Sequence, residues 1–397
     1  MKVCIVGSGG REHAMGYAFE KAGFEVFYTP GNGLTENNID FESLKYFNGL
    51  IIPGSEEYLA NGIAEKYANV FGPDSRASRL ESSKIYAKQF MSIYNLTTPR
   101  FEIASNREEL LEKIEKFYPP YVLKADGLAK GKGVLIVENK DEAVELGSKL
   151  ISGELIAGVS GPIVIDEFLP GRELSAMAVV NGDNFSLFPF IQDYKKINTG
   201  NTGPNTGGMG SFGPIEIDGE LKTKIEELFA KTLYGLKKEG VFYRGFLYLG
   251  LMIYEKTPYI LEYNVRLGDP ETEVIVATNP DNFVECVLKA YNKENIPEFN
   301  PKYYALDVVL ASKGYPGKYE KGKEIRNLFP LQGEDFVIFG AGVKKENDKY
   351  YTNGGRVLHC VAFSENKEEA KKRAYEIAEK VDFDGKIFRK DIGVIYA

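Results

Sequence analysis

Histidine is nearly absent from this 397-residue chain, which carries only His13 and His359. That scarcity argues against a histidine-rich metal site and against a Ser-His-Asp hydrolase. Chemistry must then lean on carboxylates, lysine, arginine, backbone amides and bound cations. Cysteine is sparse too. Cys4, Cys286 and Cys360 lie far apart and none belongs to a CxxC pair. This argues against a disulfide framework or a zinc site and fits a reducing compartment. Positive charge is in deficit: 49 Lys and Arg stand against 57 Asp and Glu, for a net charge of -8. A nucleic-acid surface needs the opposite balance, so no nucleic-acid partner is expected, although a local basic cleft for a small anion remains open. No apolar run reaches the ~18 residues of a membrane span, so no membrane partner is expected. Residues 1–10 read as a strand and a glycine turn, without the charged start, apolar stretch and cleavage site of a signal peptide. The expectation is a soluble cytoplasmic protein.

What is present is an ordinary apolar content of 43% in a chain long enough, at about 100–200 residues per domain, for two to four domains. Residues 2–7, 24–28, 50–53 and 70–71 read as strands, and residues 11–22 and 58–67 as helices between them. Such alternation predicts a parallel α/β sheet, closing near residue 98. In the next region residues 82–94 and 220–239 read as helices. Residues 121–125, 134–137, 163–168, 245–254 and 259–263 read as strands. The glycine-rich stretch 200–213 reads as a loop without elements. From about residue 301 the pattern gives strands at 304–312, 336–343 and 355–362 and a helix at 367–381. No internal repeat or low-complexity segment appears.

Four motifs carry candidate chemistry. Gly7-Ser8-Gly9-Gly10-Arg11-Glu12 follows a strand and opens a helix, where amides and the helix dipole can meet an anion. A dinucleotide fingerprint would need glycine at the sixth position and an acid at the tip of the next strand; neither is there. A plain tight turn remains the alternative, with Arg11 and His13 favouring phosphate. Residues 126–133 join two strands with three glycines and two lysines, suited to a flap over a polyphosphate, or to a solvated hairpin. Lys124 lies inside an apolar strand run, where a buried ammonium needs an anion; we expect that anion to be a ligand phosphate. Asp166 and Glu167 end a strand, as an adenine-binding edge would or as any strand reaching solvent would. Glu262 and Asn264 sit at i and i+2 on a strand, so both project from one face. Two oxygen ligands there suit Mg²⁺, with Arg266 on the same face to offset phosphate charge. The bland alternative is a polar edge strand.

Taken in order, these segments resemble the phosphoribosylamine–glycine ligase (glycinamide ribonucleotide synthetase) family of ATP-grasp enzymes over nearly the whole chain. The family's G-N-G-G-R-E-H-A stands at residues 7–14, with Ser8 for Asn. Its K-A-D-G-L-A-x-G-K-G-V is residues 124–134, and its E-E-F-L-x-G-x-E is residues 166–173, with Asp166 for Glu. Its D-T-G-P-N-T-G-G-M-G is residues 201–210, with Asn201 for Asp. Its E-F-N-x-R-F-G-D-P-E is residues 262–271, with Tyr263 and Leu267 substituted. T-N-G-G-R-V-L and R-K-D-I-G follow at 352–358 and 389–393. Ser55 and Tyr58 replace family prolines, and the segment 34–49 is short.

The resemblance implies an N-terminal parallel α/β domain (1–98), a split ATP-grasp core (99–300) with a lid at about 119–186, and a small C-terminal α+β domain (301–397). It implies ATP with Mg²⁺ or Mn²⁺, and glycine and 5-phosphoribosylamine as the other ligands. Glycine is activated as glycyl phosphate and captured by the amine. Arg266 and Lys124 would be catalytic. Lys84, Lys124, Gly127, Lys130, Gly131, Lys132, Gly133, Glu167, Phe168, Leu169 and Glu173 would hold ATP, and Glu262 and Asn264 the metal. Gly9, Gly10, Arg11, His13, Glu56, Asp193, Lys195, Asn205, Thr206, Gly207, Gly208, Met209, Arg266, Asp269, Pro270 and Glu271 would line the substrate side. A monomer or dimer, and a transient partner handing over phosphoribosylamine, are both compatible. The alternatives are a sister ATP-grasp ligase or carboxylase, a dinucleotide oxidoreductase, and a silent nucleotide-binding regulator.

Overall fold

Val3, Cys4, Ile5 and Val6 are all fully buried, which makes Lys2–Gly7 a centre strand. It pairs in parallel with Glu25–Pro30 on one side and Leu50–Pro53 on the other. The computed structural model describes residues 1–128, 133–156, 158–329 and 333–395. The predicted parallel N-terminal sheet is therefore present. Its expected helix at 58–67 is two short pieces, Glu56–Ala60 and Ile63–Lys66, because Gly62 takes a left-handed φ of 76° between them. Residues 70–71 make one bridge to Ile51 and no strand.

Two four-stranded antiparallel sheets build the central core. One orders Phe101–Ala104, Ile163–Asp166, Tyr121–Ala125 and Val134–Val137. Helices Arg107–Ile114 and Lys140–Ser152 back it and bury Leu110, Ile114, Val144 and Leu150. The other orders Thr257–Asn264, Arg244–Tyr254, Arg172–Asn181 and Asn184–Leu187. Helix Gly219–Lys238 packs against this second half. It buries Leu221, Ile225, Leu228, Phe229, Leu233 and Leu236 at helical spacing. Asp218 caps it by accepting from Leu221 N, a bond worth ~1 kcal/mol. The expected helix at 82–94 is broken at Ser83, which caps Lys84–Ile93 by accepting from Tyr86 N.

The stretch 200–213 departs from the loop expected there. Thr202–Asn205 pairs with Lys196–Asn198 as a hairpin, and Gly210–Gly213 is a strand paired with Tyr304–Ser312. Glycine makes the close approach work: a Cβ on Gly210 would sit 2.5 Å from the Asp307 carbonyl oxygen. The C-terminal sheet thus runs Gln192–Asp193, Gly210–Gly213, Tyr304–Ser312, Arg356–Ser364, Phe336–Gly340. The strand expected at 336–343 stops at Gly340 and resumes as Val343–Glu346. At the break Gly342 packs on Gly354, with 2.5 Å from its would-be Cβ to that Cα. Among the described residues, no helix is long and apolar enough to cross a membrane.

Candidate active site

A cavity of about 430 Å³ opens where the N-terminal sheet, the central core and the C-terminal sheet meet. It gathers residues far apart in sequence. Lys84, Lys124, Gly127 and Gly133 line one side, and Glu262, Asn264 and Arg266 the floor. Arg11, Glu56, Asp193, Lys195, Thr206, Gly207, Asp269 and Glu271 complete it. A slot of about 220 Å³ continues between the two four-stranded sheets. Glu167, Phe168, Leu169, Glu173 and Asn205 line the slot, with Val122, Leu251 and Met252 as apolar walls. Lys124, Asp193, Lys195 and Glu262 belong to both. Lys130, Gly131 and Lys132 lie outside the described residues.

Six expected residues are not on these walls. Gly10 packs so tightly that a Cβ would meet His359 Cδ2 at 2.4 Å. Gly9 N donates to Glu12 Oε2 at 2.8 Å, so this helix start satisfies its own amide. His13 turns away: its Nδ1 accepts from Gly340 N at 2.9 Å and its ring meets Phe339 edge-on. Gly208 lies against Pro270, and the Pro270 carbonyl accepts from Ser211 Oγ. Met209 is buried beside Tyr194 and Val309. Of the first glycine turn, Arg11 alone reaches the cavity; it donates to the Leu267 carbonyl at 2.8 Å.

Lys124 overturns one expectation. Its anion is a protein carboxylate: Nζ lies 2.7 Å from Asp166 Oδ2 and donates to the Leu261 carbonyl at 2.9 Å. Asp166 also holds Lys88, at 2.7 Å. One carboxylate thus serves two lysines, and the group keeps a positive excess toward the cavity. Burial pushes Lys88 down to about 8, and burial and the neighbouring Lys124 also lower Lys84. Sequence reading missed Lys88, though Lys84 and Lys88 share one helix face at i and i+4.

Glu262 and Asn264 project into the same cavity, as their spacing predicts. Burial alone would raise the Glu262 carboxyl; Lys195, Lys124 and Lys84 outweigh it and hold it below the usual range. An ionised carboxylate and an amide oxygen facing one polar space fit a hard divalent cation. Arg266 is held between Glu56 (3.2 Å) and Glu81 (2.8 Å). Glu81 also accepts from Val265 N, and burial pushes it up to about 7 against the pull of Arg266. No sequence signal pointed to Glu81. Glu271 accepts from Ser175 Oγ at 3.0 Å and Tyr248 OH at 2.8 Å; Tyr248 lies in a strand that is otherwise apolar, and the strand Arg172–Asn181 that carries Ser175 is not among those read from the sequence. Arg356, inside the late glycine motif, reaches Asp269 Oδ1 at 2.8 Å and the Gly207 carbonyl at 2.8 Å.

The family models for the phosphoribosylglycinamide synthetase N domain, ATP-grasp (A) domain and C domain match residues 1–81, 82–272 and 305–395. The phosphoribosylamine–glycine ligase of Thermotoga maritima is 58% identical over 402 residues, covering 99% of each chain. The crystal structure of a phosphoribosylamine–glycine ligase from that organism superposes with a TM-score of 0.93 at 57% identity, over 99% of this chain and 100% of that one. A biotin carboxylase domain from Hydrogenobacter thermophilus, solved with MgADP and bicarbonate, superposes with a TM-score of 0.73 at 15% identity, over 98% of this chain and 91% of that one. That likeness is one of fold. Sequence and fold agree along the whole length, and the chain belongs to the phosphoribosylglycinamide synthetase family of ATP-grasp ligases.

Proposed function

We propose that this chain joins glycine to 5-phospho-β-D-ribosylamine, converting ATP to ADP and phosphate and giving glycinamide ribonucleotide by way of glycyl phosphate. The observation that carries this reading is the apolar slot running without a break into a wider cavity walled by both signs of charge. A carboxylate is anionic and resonance-stabilised, so an amine does not displace its oxygen. Phosphorylation supplies a leaving group, and the enzyme then needs positioning, charge neutralisation and a dry cleft. The adenine fits between Val122 and Leu251, with the strand end at Glu167–Leu169 as its hydrogen-bonding edge. Lys84, Lys88 and Lys124 supply positive charge for the phosphates. Glu262 and Asn264 would hold Mg²⁺ or Mn²⁺, whose charge offsets the phosphate oxygens when it is bound. Arg266, fixed by Glu56 and Glu81, directs its remaining donor capacity at the transferred phosphoryl group. Arg11 and Arg356 suit the phosphoribosyl anion.

We divide the chain at residues 98 and 300, with a lid at about 119–186. The core beneath Tyr121–Ala125 and Ile163–Asp166 also takes in Ala104, Leu110, Ile114 and Phe117, and Arg172–Asn181 belongs to the other sheet, so the self-contained unit begins and ends earlier in the chain than that range. Three buried, free cysteines support a reducing cytoplasmic setting.

The test is ADP release with ATP, Mg²⁺, glycine and fresh phosphoribosylamine, each omitted in turn. The expected result is release that needs both glycine and the amine, with glycinamide ribonucleotide formed. Release indifferent to glycine but driven by bicarbonate would move the chain to a carboxylase.

A further inference from the structure

We propose that Asp193 is the base that takes the proton from the attacking amine, an assignment that rests on the function proposed above. In that step the amine nitrogen attacks the carbonyl carbon of glycyl phosphate. The carbon–nitrogen bond forms, the carbon–oxygen bond to phosphate breaks, and phosphate leaves with that electron pair. The nitrogen is left with one proton too many, inside a cleft whose purpose is to keep water away from the acyl phosphate. That proton ends on the departing phosphate, and a carboxylate beside the nitrogen relays it there faster than direct transfer does.

The other carboxylates on the cavity wall are engaged. Glu56 and Glu81 hold Arg266. Asp269 holds Arg356, and Glu271 accepts from two hydroxyls. Glu262 faces the lysines and fits the cation. Glu57 also has a partner of its own. Asp193 differs. Its side chain is 7% exposed, its Oδ1, like that of Asp269, is buried without a hydrogen-bond partner, and its only ion pair among the described residues, Oδ2 to Lys195 Nζ at 3.7 Å, is looser than the 2.8 Å between Asp269 and Arg356.

Its location fits the task. Asp193 walls both the slot and the cavity, the seam at which the proposed function brings the γ-phosphate to the acceptor. Oδ1 packs under Gly208, where a Cβ would lie 3.0 Å from it, which leaves Oδ2 as the oxygen on the cavity side. Its electrostatics agree. Burial and the nearby Glu271 and Glu173 push the carboxyl up to about 8, against Lys195. Tyr248 and Arg356 are the other titratable groups that feel it. A base of that strength lies near working pH, where general-base catalysis is most effective.

The experiment compares two nucleophiles. Hydroxylamine is neutral at pH 7 and, as an α-nucleophile, attacks acyl phosphates without catalysis and loses its extra proton to solvent; with ATP, glycine and unreactive ribose 5-phosphate it traps glycyl phosphate as the hydroxamate. Asp193→Asn should lower transfer to phosphoribosylamine by ~10²-fold more than it lowers trapping. Single-turnover transfer in the unmodified enzyme should rise with pH through about 8, and the variant should lose that rise. Asp193→Ala should recover transfer with added formate. Equal loss of trapping and transfer, or transfer within threefold of normal, would overturn the assignment. Absence of both products in the unmodified enzyme would instead overturn the function itself.

Discussion

Two buried charge clusters lie beside the cleft and balance their charges differently. In the first, Asp166 stands between Lys88 and Lys124, two cations to one anion. In the second, His359 stands among Asp307 (2.6 Å), Glu273 (3.5 Å) and Asp269 (3.6 Å), with Arg356 on the far side of Asp269. Both remove charge from water, which costs several kcal/mol per ion unless partners compensate. They differ in what they face. Lys88 and Lys124 reach the open cavity. His359, Glu273 and Asp307 are 0% exposed, and helix Gly10–Lys21 rests directly on them. The first keeps a positive surplus for a polyphosphate. The second ties the N-terminal turn, the segment 269–273 and the C-terminal sheet into one junction. Buried charge marks binding where it borders space and marks assembly where it does not.

The strongest way to break this comparison is Lys124→Met. Asp166 keeps Lys88, so the fold should hold, while turnover should fall by ~10²–10³-fold, as for loss of one preorganised charge at the transferred group. Steady-state ADP release and a thermal melt check it; normal turnover with a sharply lower melting temperature would make the first cluster structural like the second. Next is His359→Ala, which leaves Asp307 and Glu273 without a cation while Asp269 keeps Arg356. It should cost ~3–5 kcal/mol in urea unfolding, the usual penalty for removing one partner of a buried pair. Smaller again is Gly10→Ala, whose Cβ would lie 2.4 Å from the His359 ring. Overpacking of that kind costs ~1–3 kcal/mol, read by the same titration.

The parts readable from the sequence were those set by local rules. The parallel start followed from strand–helix alternation, and the shared face of Glu262 and Asn264 from strand periodicity. The departures came from long-range pairing. Nothing local told that glycines 210 and 213 would join a sheet with Tyr304–Ser312, because that strand is settled by a partner about a hundred residues away. The same holds for charge. Lys124 read correctly as needing an anion, but Asp166 comes close only when Ile163–Asp166 pairs with Tyr121–Ala125. Arg11 and His13 looked equivalent beside the glycine turn. Two positions apart on a helix, they face different ways, and one reaches the cavity while the other meets Gly340.

The finest test compares the two histidines, which respond to pH in opposite directions. Burial would lower His359, but Asp307, Glu273 and Asp269 outweigh it and push it up to about 9 from 6.5. A group whose proton is held more tightly in the folded state stabilises below its unfolded value and loses that contribution as pH rises. Stability should therefore decline from neutral pH through about 9, and His359→Gln should flatten that limb. His13 is pushed down to about 4 by burial and by the charge on His359, and its Nδ1 must stay bare to accept from Gly340 N. Its contribution is present above 6.5 and is lost as pH falls through about 4, so His13→Gln should flatten only the acid limb. Urea midpoints measured from pH 4 to 9.5 on both variants resolve the two limbs. If His359→Gln left the alkaline limb unchanged, the second cluster would not run on an imidazolium, and its three carboxylates would have to be held together by shared protons instead.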